Sequence, residues 1–416
     1  MLKFGYIPYP LWRRRGLRSP LMRRVLARIY PIEACEQAPA TAIEMAAFLE
    51  RWGLLPEGMS AAAARDALAA RPFADRVVDN GDAAPSAVTA TGRIRLPAQW
   101  ERQEAVIMRW PVAFPPLWEV HAQLAEAISP VARCDILIDA PAWADPIGLF
   151  LERRGEAQLD NIRFLVVPAN DIWVRDYGPV VGFNGRQRVA VSAIFDPLPA
   201  YPQAQDDAVP ERYAALTGLP LRRLDLHLEG GNLWSDGAGT LLMSEGLFAR
   251  NPHLSREETL RRLRAAFDYE KLLLVPPLRS EETGHIDLVL KLADAETILI
   301  SAPAPLLNRR TLHKAADVLR GETNAAGRPY RLIPLPMPQP YFNWGLYPIW
   351  RSYANALTIN GRLLVPTYGL RSDHAALIAY RTALPDHTLR PIYCVTAING
   401  GGAVHCLTKE IPAHEA

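Results

Sequence analysis

Five side chains in this 416-residue sequence could together do covalent chemistry on a cation: Asp176, Glu229, His285, Asp287 and Cys406. A cysteine beside a histidine is a nucleophile with its acid/base partner, and the histidine needs a carboxylate to fix its tautomer and keep it basic. Glu229 can supply that carboxylate, which leaves Asp176 and Asp287 over. Unpaired carboxylates are expensive to bury, so an enzyme keeps two of them only where its ligand brings positive charge. A guanidinium does so: it never deprotonates, and its planar fork of donors matches bidentate carboxylates. A cysteine protease needs no such pair.

Each residue also has a plainer reading. Asp176 could be a turn residue ahead of Gly178-Pro179. Glu229, before two glycines, could sit on a surface loop. His285 and Asp287 alternate as residues on a solvated strand face do. Cys406 follows Asn399-Gly400-Gly401-Gly402 and could be a small core hydrophobe after a tight turn. The His285/Asp287 pair, His405 and Cys406 could also ligate zinc, although no CxxC or HExxH pair is present.

The elements that must position these residues favour the joint reading. From Gly92 onward short β-branched runs alternate with helical stretches, the pattern of an α/β protein. Strands are expected at 105–108, 134–138, 164–167, 241–243, 272–275, 297–300 and 363–365. A helix follows Trp118, Ser255-Arg256-Glu257-Glu258 opens another, and Asn360-Gly361 signals a hairpin. Polar clusters fall at the strand ends, at 110–111, 173–176, 229–232, 284–287, 351–355 and 400–406, at intervals of 53–68 residues. One cluster per unit suggests a repeat architecture. Units set around an axis would bring every cluster to one central pocket.

Residues 1–92 differ from the rest. Eight basic residues from Lys3 to Arg28 precede the first acid, Glu33. Ser19-Pro20 reads as an N-cap with proline at the first helical position, ahead of an apolar stripe of Leu21, Met22, Val25, Leu26 and Ile29. Thr41 to Glu44 is a capping box, Ser60 caps an alanine-rich helix to about Ala70, and residues 79–86 have linker composition. The expected organisation is a helical N-terminal module with its linker at 1–92, followed by a catalytic domain at 93–416. The basic helix reads as a solvated face or as a contact for an anionic partner.

In the same order, Trp173-Val174-Arg175-Asp176, Glu229-Gly230-Gly231, Gly284-His285-Ile286-Asp287, the 351–355 cluster and the 400–408 loop resemble the motifs of the agmatine deiminase and bacterial-type peptidylarginine deiminase family. The resemblance runs from near Leu96 to about Pro412. It implies an α/β fold: a five-bladed pseudo-symmetric propeller of ββαβ modules, carrying the N-terminal helical extension. It also implies hydrolysis of a guanidino group to a ureido group plus ammonia through an amidino intermediate on Cys406. His285 would be the general acid/base and Glu229 its partner. Asp176 and Asp287 would grip the guanidinium, with Trp110, Arg175 and Gly402 beside the substrate. No metal or organic cofactor is implied.

Tyr177, Arg109, Leu288, Lys291, Leu292 and Lys409-Glu410-Ile411 depart from the family's usual runs, which bears on substrate identity. Agmatine needs an acidic or aromatic end for its free amine, and Trp110, Trp118, Glu281 and Glu282 are candidates. A peptidylarginine needs an open groove instead, and free arginine or another guanidino metabolite is a third option. A catalytically inactive copy serving as a binding scaffold is the competing class, against which the five intact residues count. Agmatine is the first expectation.

Composition sets the outer bounds. The chain is 49% hydrophobic and 22% charged, which suits a globular protein with a sizeable core. A net charge of +2 argues against nucleic acid as the main partner. Cys35, Cys134, Cys394 and Cys406 are scattered, so no disulfide framework is implied, as fits a reducing cytoplasm. No apolar run reaches a membrane span and the basic N-terminus lacks a signal-peptide core. The expected partner is a small guanidino molecule or an arginine side chain, with a homo-oligomer left open.

Overall fold

The computed structural model describes residues 38–79, 90–112, 114–195, 203–301, 305–343 and 347–414. The basic segment with the helix expected after Ser19-Pro20, Cys35 and most of the 79–86 linker lie outside the described residues. No helix among the described residues is long and apolar enough to cross a membrane.

The fold is mixed α/β and is built from small sheets. The first has five strands, in the order Val77–Val78, Ile162–Val166, Arg133–Ile138, Gln103–Arg109 and Lys409–Pro412. Four run parallel, and the last pairs antiparallel with Gln103–Arg109. The central strands are buried almost end to end, as parallel strands covered on both faces are.

Four three-stranded sheets follow, each an antiparallel pair, a helix and a parallel third strand. They are Val180–Asn184 with Gln187–Ile194 and Leu221–His227, then Trp234–Ser235 with Thr240–Ser244 and Lys271–Val275. Next come Leu290–Leu292 with Thr297–Ser301 and Arg331–Leu335, then Leu357–Ile359 with Arg362–Thr367 and Thr388–Tyr393. The intervening helices are Val209–Thr217, Arg256–Ala266, Arg309–Arg320 and Ser372–Ala383. Lys409–Pro412, Gln103–Arg109, the helix Trp118–Ile128 and Arg133–Ile138 repeat the pattern in the first sheet. The last strand of the chain therefore completes the first sheet.

The hairpin at Asn360-Gly361 closes as expected, with both residues in the left-handed region (φ 42° and 80°) that a tight primed turn demands. Asn360 does a second job. Its side chain accepts from the Gln103 amide at 2.9 Å and donates to the Gln103 and Val131 carbonyls, tying the last sheet to the first.

The described part of the N-terminal segment shares the core of the first sheet. Thr41 and Glu44 form the capping box on the helix Ala42–Trp52, and Ser60 caps the helix Ala61–Ala69. Met45, Leu49, Leu68 and Phe73 are buried in one cluster with the helix Ala144–Arg154. Burying side chains of this size contributes about 1.5–3 kcal/mol each. Phe73 explains Gly148 in the middle of that helix, because a Cβ there would stand 2.4 Å from its ring. Val77–Val78 then joins the sheet edge.

Candidate active site

The polar clusters other than 110–111 occupy the connections between one sheet and the next. Asp176 sits on a single helical turn, Val174–Tyr177, before the second sheet, and Glu229 follows the strand Leu221–His227. His285 and Asp287 precede Leu290–Leu292, Asn355 precedes Leu357–Ile359, and Cys406 precedes Lys409–Pro412. The structure brings Asp176, Glu229, His285, Asp287, Gly402 and Cys406 to one cavity of about 720 Å³. Trp173, Phe195, Glu281, Glu282 and Trp350 also line it.

His285 is clasped from both sides. Its Nε2 lies 2.7 Å from Glu229 Oε2, and its Nδ1 lies 3.5 Å from Asp176 Oδ1. Arg250 Nε holds the same Glu229 oxygen at 3.0 Å. Burial alone would lower the imidazole's pKa. Asp176, Glu229 and the Glu229 hydrogen bond outweigh it and raise His285 to about 10. The ring is therefore protonated at neutral pH.

The backbone makes room for this clasp. A Cβ on Gly231 would stand 2.4 Å from His285 Nδ1 and 2.7 Å from Asp176 Oδ1. Gly231 N–H also donates to that Asp176 oxygen at 3.0 Å. Gly231→Ala is expected to push the imidazole off its carboxylates and lower kcat about 10²-fold, as misplacements of an ångström do. A circular dichroism spectrum and melting temperature near wild type, alongside the lost rate, would localise the effect to the site.

Asp287 and Cys406 form the opposite wall. Asp287 Oδ2 accepts from His405 Nδ1 at 2.7 Å and from Asn355 Nδ2 at 2.9 Å, and Cys406 Sγ lies 3.8 Å away. Asp287 Oδ1 is buried and has no hydrogen-bond partner among the described residues. Burial, with Asp176 adding to it against the opposing pull of His285, raises the carboxyl to about 7. Burial and then the charges of Asp287 and Asp176 push the Cys406 thiol well above its ordinary value. Without a cation in the site, the sulfur keeps its proton.

Asn355 holds the cysteine loop. Its Oδ1 accepts the N–H groups of Ala403, His405 and Cys406 at 3.1–3.3 Å, and its Nδ2 reaches Cys406 Sγ at 3.1 Å. Gly402 is fixed by contact, since a Cβ there would meet the Trp173 ring at 2.4 Å.

Two residues expected beside the substrate stand elsewhere. Trp110 is fully buried in the core, edge-on to Trp118 at 5.3 Å and to His121 at 5.8 Å. Trp118 is buried with it, so neither indole faces the cavity. Arg175 points away from the cavity: its guanidinium pairs with Glu410, and its Nε donates to the His405 carbonyl at 3.2 Å. It braces the cysteine loop from behind. Sequence reasoning gave no role to Asn355 and saw His405 only as a zinc ligand. The signal for Asn355 was a polar residue inside the otherwise apolar run Tyr353-Ala354-Asn355-Ala356-Leu357, where burial obliges an amide to find partners. Of the imidazole nitrogens in the zinc reading, both of His285 face Glu229 and Asp176 and His405 Nδ1 faces Asp287, while His405 Nε2 is buried without a hydrogen-bond partner among the described residues.

A sequence model of the Porphyromonas-type peptidyl-arginine deiminase family matches residues 95–412. The "Putative agmatine deiminase" of Marinomonas sp. (strain MWYL1) is 31% identical, over 76% of this chain and 94% of its own. The agmatine deiminase of Pseudomonas fluorescens (strain SBW25) is 28% identical over 76% and 95%. Among solved structures, the agmatine deiminase of Enterococcus faecalis superposes with a TM-score of 0.70 at 26% identity, covering 79% of this chain and all of that one.

Proposed function

The chain belongs to the Porphyromonas-type peptidyl-arginine deiminase family and is a hydrolase of carbon–nitrogen bonds in linear amidines, and we propose that it converts agmatine to N-carbamoylputrescine and ammonia. The observation that carries the chemistry is the unpartnered Asp287 Oδ1 in a pocket where the Asp176 and Glu229 carboxylates already serve a protonated histidine. A guanidinium supplies the missing donors.

In this reading Asp176 and Asp287 hold the guanidinium with its carbon over Cys406 Sγ. The incoming positive charge offsets the two carboxylates that keep the thiol neutral, so the thiol proton leaves to solvent as substrate binds. The sulfur bonds to the guanidinium carbon. The carbon–nitrogen bond then breaks as His285 protonates the departing ammonia. Neutral His285 next takes a proton from water, whose oxygen bonds to the amidino carbon. The carbon–sulfur bond breaks as the hydroxyl proton passes to the departing sulfur, which restores the Cys406 thiol, and the ureido product leaves. Glu229 keeps His285 basic enough to be charged at the start of each cycle.

Binding needs ionised carboxylates and departure of ammonia needs charged His285. Accordingly kcat/KM is expected to rise as pH passes about 7, where Asp287 loses its proton, and to fall as pH approaches about 10, where His285 loses its own. A pH profile with no rise across the neutral range would contradict this assignment.

Agmatine is favoured by the acidic rim of Glu281 and Glu282, which suits an ammonium and opposes the α-carboxylate of free arginine. The matched relatives named above carry the same substrate in their names. A ureido assay across agmatine, arginine and a blocked arginine peptide tests it. Agmatine is expected to lead free arginine by at least about 10²-fold in kcat/KM, equivalent to roughly 2.8 kcal/mol. Equal rates on the blocked peptide would move the assignment to peptidylarginine.

The five units of antiparallel pair, helix and parallel strand are read as blades of a pseudo-symmetric propeller. The repeated strand order supports this, as does the meeting of their connections at one pocket. Residues 93–416 would then be the catalytic unit and 1–92 an extension, of which the described residues 38–79 pack on the first blade.

A further inference from the structure

A second cavity, of about 510 Å³, lies on the reverse side of the catalytic loops and shares no lining residue with the substrate pocket. Adjacent residues face opposite ways: Asp176 and Glu229 line the pocket, while Arg175 and Gly230 line the cavity.

Lys409 is only 5% exposed, and among the described residues its ammonium has no hydrogen-bond or ion-pair partner. It lies against the Glu229 loop, since a Cβ on Gly230 would stand 2.7 Å from its Nζ. Glu410 does not answer it, because both of its oxygens are taken by Arg175. Lys291 adds a further buried cation behind the wall. Its Nζ donates to Gln99 Oε1 at 2.6 Å and sits 4.9 Å over the Trp234 ring. With its oxygen held there, Gln99 is left with a buried Nε2 donor that finds no acceptor, and Trp234 Nε1 is equally unmet. Three basic groups, Arg175, Lys291 and Lys409, thus stand against the Glu410 carboxylate, with the Asp176 charge also acting on Lys409, and two wall residues, Gln99 and Trp234, each carry a buried, unsatisfied N–H. Buried charge and buried donors of this kind call for an acceptor.

We propose that this cavity binds a small oxyanion, held by Lys409 with Gln99 and Trp234 as N–H donors. The carboxylate oxygen of such an ion matches all three groups, and so does a phosphate or hydrogencarbonate oxygen. One wall atom separates the sources. Gln103 Oε1 is a buried acceptor without a donor, which an oxyanion retaining a proton can satisfy and a carboxylate cannot. Burial, with Arg175 beside it, lowers Lys409 to about 7; a bound anion reverses that shift, so binding at higher pH takes up a proton.

The test is calorimetric titration of acetate, hydrogencarbonate and phosphate into the full chain at constant ionic strength, in two buffers of different protonation enthalpy, at about pH 8. At least one ion is expected to saturate with net proton uptake. Lys409→Met should weaken it at least about tenfold and Lys409→Arg should retain it. Tighter hydrogencarbonate or phosphate than acetate assigns the site to a protonated oxyanion, and the reverse order assigns it to a carboxylate. Failure of all three ions to saturate the wild-type chain overturns the proposal, as does unchanged binding in folded Lys409→Met. If that variant does not fold, Trp234→Phe, which removes the N–H donor while keeping an aromatic ring at the position, decides the matter: it must weaken binding several-fold.

Discussion

Replacing Cys406 by alanine is expected to abolish ureido formation, by on the order of 10⁴-fold or more, while leaving guanidinium binding largely intact. The asymmetry follows from where the contacts lie. The groups that would grip a guanidinium, Asp176 and Asp287, keep every partner except the sulfur itself. Asn355 still donates to Asp287 Oδ2 at 2.9 Å, and His405 still donates to the same oxygen. The thiol is also the group that opposes binding least in its protonated form, so removing it neither strips charge from the pocket nor adds any. Agmatine added to the variant should therefore raise its melting temperature and show a dissociation constant within a few-fold of that of the intact site. Turnover within about tenfold of wild type would remove Cys406 from the role of nucleophile. In the wild-type enzyme, acid quenching during turnover should trap the amidino group on the Cys406 peptide, visible by mass spectrometry.

How much of this was legible in the sequence differs between site and scaffold. The five residues that meet in the pocket were readable as a group because each combines an unusual type with a loop position, and because their spacing repeats. The strand positions 105–108, 134–138, 241–243, 272–275, 297–300 and 363–365 all fall inside observed strands, since buried parallel strands are unbroken apolar runs. The second sheet was not foreseen. Its third strand, Leu221-Arg222-Arg223-Leu224-Asp225-Leu226-His227, alternates apolar and charged residues because one face is wet, and the three basic residues hide the period of two.

The errors at the site share one cause. Trp110 and Arg175 belong to the right clusters, but sequence proximity does not say which side of a loop a side chain takes. Arg175 and Asp176 are neighbours on one helical turn and face different cavities. Asn355 was missed for the complementary reason: its work is all with backbone amides and with Asp287, none of which a linear spacing reveals. Tyr177, singled out as a departure, turns out to buttress the pocket wall. Its hydroxyl donates to the Asp171 carbonyl at 2.6 Å and its ring packs edge-on to Phe195.

Asp287→Asn is expected to cost more than its loss of one charge. Truncating one partner of a buried charge pair costs about 2–5 kcal/mol, or roughly 30-fold to several thousand-fold in kcat/KM. Here the geometry adds to that figure. Oδ2 is pinned as an acceptor by His405 Nδ1 and Asn355 Nδ2, so the introduced amide must place its oxygen there. Its NH₂ then occupies the place of Oδ1 and faces the substrate, donor against donor. The loss should sit at the upper end of that range and appear mainly in KM. The same substitution has an opposite effect on the sulfur. After burial, the Asp287 charge is the largest influence holding the Cys406 thiol up, so its removal lowers the thiol's pKa. Iodoacetamide should therefore label Cys406 faster in Asp287→Asn than in wild type at about pH 8, even as deimination disappears. A merely damaged fold would lose activity and could expose the thiol as well, so the melting temperature must be measured alongside. Slower labelling in a variant of unchanged melting temperature would mean that the Asp287 charge does not govern the nucleophile.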